Sequence, residues 1–208
     1  YLQKSDDLNF RIFQFDYIVP IKNKFVTRIS AGYLEQMYGG FSSELLYKSF
    51  HNNYALSLEV NSVKKRNYDG RFSFLDYETT TAHVNSAYYH PKTNILFKLS
   101  YGKYLAGDKG YTFDISRRMP SGWQAGVYFT RTNLSAEDFG EGSFDKGFYF
   151  KIPLNRIQKS YTKQSTGFSL NSITRDGGQK LVIQNKLIDS FYGSSYSEIN
   201  ENWRDFLR

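Results

Sequence analysis

Apolar and polar side chains alternate with a period of two along most of this 208-residue chain. The stretch 54–61, for example, reads YALSLEVN. Because successive side chains of a strand point to opposite faces, the pattern predicts strands with one apolar and one polar face. Eleven such stretches follow one another, at 10–21, 24–36, 42–49, 54–61, 79–89, 95–102, 111–116, 123–130, 147–152, 164–172 and 180–189. The chain is therefore expected to be all-β.

The connections between these stretches alternate in length. Most of one set is short, at Asn23, 51–53, 91–93 and 120–122, with a longer exception at 153–162. The other set includes the long segments 62–78 and 133–146. Bacterial outer-membrane barrels have short periplasmic turns, longer extracellular loops and an even strand number. The alternation predicts an antiparallel up-and-down barrel of about twelve strands, with one strand missed or lying upstream and the C-terminus in the periplasm.

Alternation alone fits both a soluble barrel with an apolar interior and a membrane barrel with an apolar exterior. Three features favour the membrane barrel: strands of about ten residues, as a tilted span requires, aromatic residues Tyr101, Tyr111 and Trp123 near strand ends, and charges of both signs on the polar face. These charges are Glu44, Lys48, Glu59, Lys98, Asp114 and Lys151. We therefore expect a transmembrane β-barrel in the bacterial outer membrane, in contact with its lipid.

The last residues change period. Ser195 and Glu198 form a capping box, and the apolar residues after it share one helical face. These residues are Ile199, Trp203, Phe206 and Leu207. The expected organisation is a β-barrel over 1–194 and an amphipathic helix over 195–208, which plugs the barrel, docks on a periplasmic partner or packs on the rim. Because the chain opens on Tyr1, it is expected to be a piece of a longer protein.

Recognisable catalytic chemistry is absent from the sequence. The chain has no cysteine, and His51, His83 and His90 lack metal-ligand spacing, so neither a metal nor a cofactor is expected. The acidic residues Glu137, Asp138, Glu141 and Asp145 share one loop, where solvated carboxylates are favoured over a Ca²⁺ or glycan-cleaving site. No nucleophile elbow is present, and an enzyme is not expected.

Charge and turn motifs also favour simple interpretations. The net charge is +7, but its longest basic run is only 64–66, and no nucleic-acid motif is present. Arg117 and Arg118 precede a Pro turn, where they form a rim feature or grip an anionic polymer. The Asp-Gly-Gly sequence at 176–178 predicts a hairpin turn.

A set of motifs resembles one protein family. They are FSFLDY at 72–77, YLAGD at 104–108, SRR at 116–118 with SGW at 121–123, DFGEGSFDKG at 138–147 with IPL at 152–154, and TRDGG at 174–178. In this order they resemble the C-terminal part of the YjbH/GfcD family, over roughly residues 66–208. The resemblance implies an outer-membrane protein that serves exopolysaccharide or capsule secretion, and it implies no catalytic residues.

Three functions follow as hypotheses. The first is a barrel that passes an extended polysaccharide through a polar lumen with weak multiple sites. The predicted lumen residues are Ser57, Glu59, Asn61, Lys98, Ser100, Asp114 and Gln124. The second is a plugged scaffold that docks periplasmic export proteins through the terminal helix. The third is a glycan- or lipid-modifying enzyme that uses the carboxylates of 137–145.

Overall fold

Ten strands form one sheet in the computed structural model, which describes residues 10–69, 71–119, 121–139, 144–154, 165–172 and 177–191. Each strand pairs antiparallel with the next one in sequence. They are β1 (Phe13–Lys22), β2 (Phe25–Tyr33), β3 (Tyr38–Lys48), β4 (Tyr54–Arg66), β5 (Phe74–His90), β6 (Ile95–Lys103), β7 (Lys109–Arg118), β8 (Gln124–Thr132), β9 (Asp145–Pro153) and β10 (Ser165–Asn171). The prediction of an all-β, antiparallel up-and-down fold is confirmed.

The predicted strand number and the last predicted strand are wrong. The described residues contain ten strands rather than about twelve, and within them no pairing joins β1 to β10. The stretch 180–189 joins no ladder, since it lies against one face of the sheet and ends in a 3₁₀ helix, Ile188–Ser190. The predicted terminal helix, 195–208, with Ile199, Trp203, Phe206 and Leu207, lies outside the described residues.

Helices contribute little to the described part of the chain. Besides the 3₁₀ helix, it contains the four-residue helix α1 (Ala136–Phe139) between β8 and β9. No helix there has the length and apolar character that a membrane crossing requires.

The predicted long loop at 62–78 is also wrong. Strand β4 continues to Arg66 and β5 begins at Phe74, so that only 67–73 connect them. Outward-facing apolar side chains end near Val60, but the backbone ladder continues, with Lys64 opposite Glu78. Loss of apolar alternation marks the end of a buried or lipid-like environment; it does not mark the end of backbone pairing.

The two faces of the sheet have the reverse polarity of a water-soluble barrel. The outer face carries Leu58, which is 49% exposed, and the inner face carries the adjacent Glu59, which is only 3% exposed. Other exposed outer-face residues are Ile29, Phe41, Leu56, Val84, Val127 and Leu170. Other buried inner-face residues are Arg28, Ser42, Glu44, Ser57, Asn61, Thr81, Ser100 and Thr130. Most large apolar side chains of the strands therefore face outward. Most buried side chains of the inner face are polar, together with a few apolar residues such as Leu46, Val63 and Leu96.

Of eight connections between the strands, the longest two lie at one end of the sheet. The short-turn end has connections at 23–24, 49–53, 91–94 and 119–123, and the long-loop end has them at 34–37, 67–73, 104–108 and 133–144. Of these residues, 70, 120 and 140–143 lie outside the described part of the chain. Among the eight, only 67–73 and 133–144 exceed five residues, and both are at the long-loop end. Residues 155–164, which include most of the longer connection predicted at 153–162, lie outside the described residues.

Aromatic side chains form rows on the outer face near both ends. At the short-turn end, the rings of Phe25 and Tyr47 lie 5.2 Å apart and those of Tyr47 and Tyr54 lie 6.3 Å apart. At the long-loop end, Tyr101 lies opposite Tyr111 in register, as the sequence prediction for strand ends implies. The apolar outer face is thus bounded by aromatic residues.

Candidate functional site

The interior of the curved sheet is crossed by residues 177–191, which we call the inner segment. At the long-loop end, Gly178 N–H donates to Asp108 Oδ2 at 2.9 Å, and Gln179 O accepts from Leu105 N–H at 3.0 Å. At the other extremity, Asp189 contacts Lys98 of β6. The inner segment therefore passes from the long-loop end toward the short-turn end, which is the direction that an eleventh strand would take.

Two apolar clusters hold the inner segment. Near the long-loop end, Leu181 and Ile183 pack against sheet and loop residues Leu34, Tyr38, Val63 and Leu105. Farther along, Leu187, Ile188 and Phe191 pack against Leu46, Ala55, Ala87, Tyr89 and Leu96. Burial of apolar side chains is worth about 1.5–3 kcal/mol each for residues of this size, so these anchors are the largest favourable contribution to seating the segment.

The local sequence explains why this segment is not a strand. Leu187 and Ile188 are adjacent and both buried, which breaks the period of two. Asn185 has φ of 59°, a left-handed conformation that interrupts a strand and that Asn tolerates better than most residues. Several backbone groups of the segment are consequently paired with side chains of the interior, because buried backbone groups need partners.

The carboxylate of Glu44 binds two backbone groups of the inner segment. It accepts hydrogen bonds from the backbone N–H groups of Leu187 at 2.8 Å and Ile188 at 3.0 Å, where the 3₁₀ helix begins. Arg28 Nη2 lies 3.4 Å from the same carboxylate, and both side chains are fully buried. The carboxylate satisfies N–H groups that the start of a helix leaves free, and the arginine balances its charge.

Further polar contacts follow the segment along its length. Lys186 Nζ lies 3.1 Å from Glu59 Oε2, and Asn185 Nδ2 donates to Asp16 Oδ2 at 2.9 Å. Val182 N–H donates to Glu35 Oε2 at 2.8 Å. Burial raises the pKa of Glu35 above its ordinary value, although this hydrogen bond acts in the opposite direction.

The seven predicted lumen residues all lie on the inner face, but they differ in surroundings. Glu59 pairs with Lys186, and Ser57 accepts a hydrogen bond from Asn85 Nδ2 at 3.2 Å. Asn61 donates to Glu59 Oε1 and to Thr81 Oγ1, both at 2.9 Å. All three side chains are therefore bound to groups within the protein, and Glu59 in addition lines a small cavity.

The remaining predicted residues lie in a less crowded region. Lys98 pairs with Asp189 at 2.6 Å, and Asp114 accepts from Tyr149 O–H at 3.0 Å. Gln124 Nε2 donates to Ser116 Oγ at 2.9 Å, and Ser100 donates to Asn85 Oδ1. Glu59, Lys98, Ser100 and Asp114 line a cavity of about 220 Å³ beside the inner segment.

A larger cavity of about 440 Å³ opens beside it, toward the short-turn end. Strands β5 to β10 form its wall, and Asp189 of the inner segment lies at its edge. Its polar and charged lining includes Lys98, Arg118, Gln124, Tyr149, Lys151 and Asp189. Two of the predicted lumen residues, Lys98 and Gln124, therefore border a cavity that is large enough for a small ligand.

Sequence reasoning missed the residues that fill the interior. Lys186 and Asp189 lie in the stretch predicted as a strand. Arg28 lies in the stretch 24–36, where the alternation is irregular, and it was not predicted to be a site residue. The adjacent pair Leu187-Ile188 is the signal that would have separated this segment from a strand. Arg118 was considered as part of a rim pair, and the structure places it at the cavity while Arg117 is exposed.

The acidic cluster is not assembled as a single site by the described residues. Glu137 is exposed, whereas Asp145 is buried on the inner face of β9. The Asp138 side chain and Glu141 lie outside what the structure describes. The described residues contain no group of three side chains arranged to hold a metal ion.

Comparison with known proteins identifies relatives over most of the chain. Residues 1–191 match the YjbH family, described as "Exopolysaccharide biosynthesis protein YbjH". An Escherichia coli K12 protein named "Uncharacterized lipoprotein YjbH" is 38% identical over 190 residues, which cover 89% of this chain and 27% of that protein. The chain thus spans about a quarter of the length of this relative. No solved structure matches.

Proposed function

The chain belongs to the YjbH family of exopolysaccharide biosynthesis proteins, and on that basis we propose that its strands form part of an outer-membrane β-barrel that takes part in exopolysaccharide export or assembly. The reversed polarity of the sheet is the observation that carries this proposal. An apolar outer face of this kind is unfavourable in water, but it is stable in contact with lipid hydrocarbon. The lipoprotein named among the relatives is consistent with association with a membrane.

Membrane insertion requires the sheet to be completed. In hydrocarbon every backbone polar group needs a partner, and the described β1 and β10 each have a strand on only one side. We propose that strands from outside the described residues close the barrel. Aromatic rows at the two ends of the outer face match the interfacial belts of such barrels.

The turn lengths support one orientation. Short turns face the periplasm in bacterial outer-membrane barrels, so the short-turn end is proposed to be periplasmic and the long-loop end extracellular. The parts of β4 and β5 nearest the long-loop end, where Lys64 lies opposite Glu78, then project beyond the lipid. Their outward-facing charges require water rather than hydrocarbon.

A non-enzymatic role fits the interior best. Glu44 and Glu59 are buried carboxylates of the inner face, and each is bound to the inner segment. A glycoside-cleaving pair needs two carboxyl groups that face the substrate. We therefore propose that the protein handles a polysaccharide without cleaving it.

Because the inner segment lies across the interior, a plugged scaffold is favoured over a permanently open conduit. The apolar anchors and the carboxylate of Glu44 hold it across the interior. In this second candidate function, the barrel anchors periplasmic export proteins at the short-turn end. Transport through the same interior would require the inner segment to leave it.

Ion conductance of the full-length protein in planar lipid bilayers separates these two functions. The wild-type protein should be closed, and replacing 180–190 by a Gly/Ser sequence of equal length should produce stable, stepwise conductance. Stepwise conductance of the wild type itself would reject the plugged state and support the conduit.

Membrane insertion is tested by arginine substitutions on the outer face of β4. Leu58→Arg lies in the apolar band and should cost about 2–4 kcal/mol, whereas Ser62→Arg lies beyond it on the same face and should cost about 1 kcal/mol or less. The readouts are the amount of folded protein in outer membranes and the surface exopolysaccharide of a complemented deletion strain. Equal effects of the two changes would argue against a lipid-facing β4.

A further inference from the structure

We propose that the cavity of about 440 Å³ at the short-turn end binds an acidic sugar unit, through the cations Lys98, Arg118 and Lys151. The inference rests on the proposed role in exopolysaccharide export and names the chemical class of the polymer. It assigns the cavity to a sugar that carries a carboxylate or a similar anion, in preference to a neutral one.

The charge of the lining supports an anionic ligand. Lys98, Arg118 and Lys151 come from three different strands, β6, β7 and β9, and border one cavity. Among the described residues that line it, Asp189 is the one carboxylate. Asp114 of β7 also lies on the inner face, opposite Lys98 in register, so the positive charge of the lining is partly balanced. An anion forms charge-assisted hydrogen bonds with lysine and arginine that a neutral sugar cannot form.

The rest of the lining suits the hydroxyl groups and ring of a sugar. Gln124 and Ser116 provide amide and hydroxyl groups, which already bond to each other at 2.9 Å. Tyr149 presents an aromatic ring, with Lys151 Nζ 5.1 Å from its centre. The volume is within the usual range of small-ligand sites, so the cavity is large enough to bury a ligand of this kind.

Asp189 occupies the position that the ligand's anion would take. Its contact with Lys98 is 2.6 Å long, but the two side chains remain 57% and 32% exposed. An ion pair with this much exposure is weak and exchangeable. We infer that the inner segment carries its own carboxylate into the site and that an acidic ligand competes with Asp189 for Lys98.

Calorimetric titration of the full-length protein in lipid nanodiscs tests the inference. The probes are trigalacturonic acid and its neutral methyl ester, at low salt because the contacts are electrostatic. The wild type should bind the acid at least about tenfold more tightly than the ester, as expected for one charge-assisted contact. Equal affinities, or no binding of the acid, would overturn the proposal.

Variants locate the binding site. Lys151→Gln and Lys98→Gln should each weaken binding of the acid about tenfold, while Asp189→Asn should strengthen it several-fold by removing the competitor. Lys92→Gln, an exposed lysine in a turn at the same end, should leave the affinity unchanged and is the matched control. Equal weakening by Lys92→Gln, or weaker binding after Asp189→Asn, would contradict the assigned geometry.

A strain assay keeps this inference separate from the proposed function. Loss of surface exopolysaccharide in a deletion strain, together with a protein that does not bind trigalacturonic acid, would reject the site and retain the export role. Normal surface exopolysaccharide in the deletion strain would reject the export role, whatever the protein binds.

Discussion

The interior of the sheet has two halves that differ in what lies against them. Strands β2 to β5 face the inner segment, and their inner side chains, such as Arg28, Glu44 and Ser57, are almost completely buried. Strands β6 to β10, together with the end of β5 at Tyr89, border the larger cavity, where Gln124 is half-buried and Lys151 is exposed. We call these the filled half and the hollow half. The same alternation of residues therefore leads to two environments.

The comparison shows that burial in this interior depends on the inner segment as well as on the sheet. In the filled half, polar groups such as Glu44 find partners on the inner segment and would be costly without them. In the hollow half, polar groups such as Gln124 bond to neighbours on adjacent strands and remain accessible. Stability should therefore be concentrated in the first half and ligand binding in the second.

The largest expected effect is that of Glu44→Ala in the filled half. It removes the acceptor of two backbone N–H groups and leaves Arg28 buried without its carboxylate, which should cost about 3–5 kcal/mol. Asp114→Ala, the same truncation in the hollow half, removes the acceptor of one hydrogen bond from Tyr149 and should cost only about 1–2 kcal/mol. Urea unfolding of the full-length protein in phospholipid vesicles measures both. Similar losses for the two variants would break the distinction between the halves.

Truncation of an anchor of the inner segment should have the next largest effect. Leu187→Ala removes a buried side chain from the second apolar cluster, at a cost of about 2–5 kcal/mol. Val182→Ala changes an exposed residue of the same segment and should alter stability by about 0.5 kcal/mol or less. Limited proteolysis should detect release of the segment in the first variant alone. Cleavage of both variants at equal rates would show that the anchor does not seat it.

Enlarging predicted lumen residues should distinguish the halves by available space. Ser57→Trp enters the filled half, where overpacking costs about 1–3 kcal/mol or more. Gln124→Trp borders the cavity and should fold with stability close to that of the wild type. Urea unfolding and the amount of folded protein in membranes are the readouts. A destabilised Gln124→Trp protein would mean that the hollow half is also tightly packed.

The smallest effect concerns pH at the long-loop end of the filled half. Burial raises the pKa of Glu35 from its ordinary value of 4.5, so the folded state favours the protonated carboxyl. The resulting stabilisation is present below pH 4.5 and is lost as the pH rises through the folded-state pKa.

Glu35→Gln cannot ionise but retains an oxygen that can accept the Val182 N–H. The variant should gain stability relative to the wild type as the pH rises above 4.5, by less than about 1 kcal/mol. Melting temperature as a function of pH measures the difference, with Glu137→Gln, an exposed carboxyl at the same end, as control. A constant difference between wild type and Glu35→Gln at all pH values would contradict the assignment.

The fold was largely predictable because a strand pattern is local. Alternation such as that of 54–61 depends only on neighbouring residues, and it located ten strands and placed Ser57, Glu59 and Asn61 on one polar face. The pattern failed at 180–189, where apolar residues are also frequent. The adjacent pair Leu187-Ile188 argues against a strand there, but no local feature places the segment in the interior. That placement depends on partners distant in sequence, above all Glu44.

The candidate site was predictable only in part for the same reason. Lys98 and Gln124 were placed on the polar face by alternation, but their common cavity with Lys151 arises from the curvature of the sheet and from the space that the inner segment leaves. Arg118 was visible as a basic residue before a turn, and only its neighbours in space connect it with the other two cations.

By itself, the sequence determined the strand order, the two faces of each strand and membership of the YjbH family, because these depend on residue spacing and residue identity along the chain. Tertiary structure decided which part of the interior is filled. The inner segment buries its apolar residues in two clusters and satisfies its backbone through Glu44, and a place beside β10 would offer it neither contact. The free energy of those distant contacts places it inside the sheet and leaves the cavity beside it.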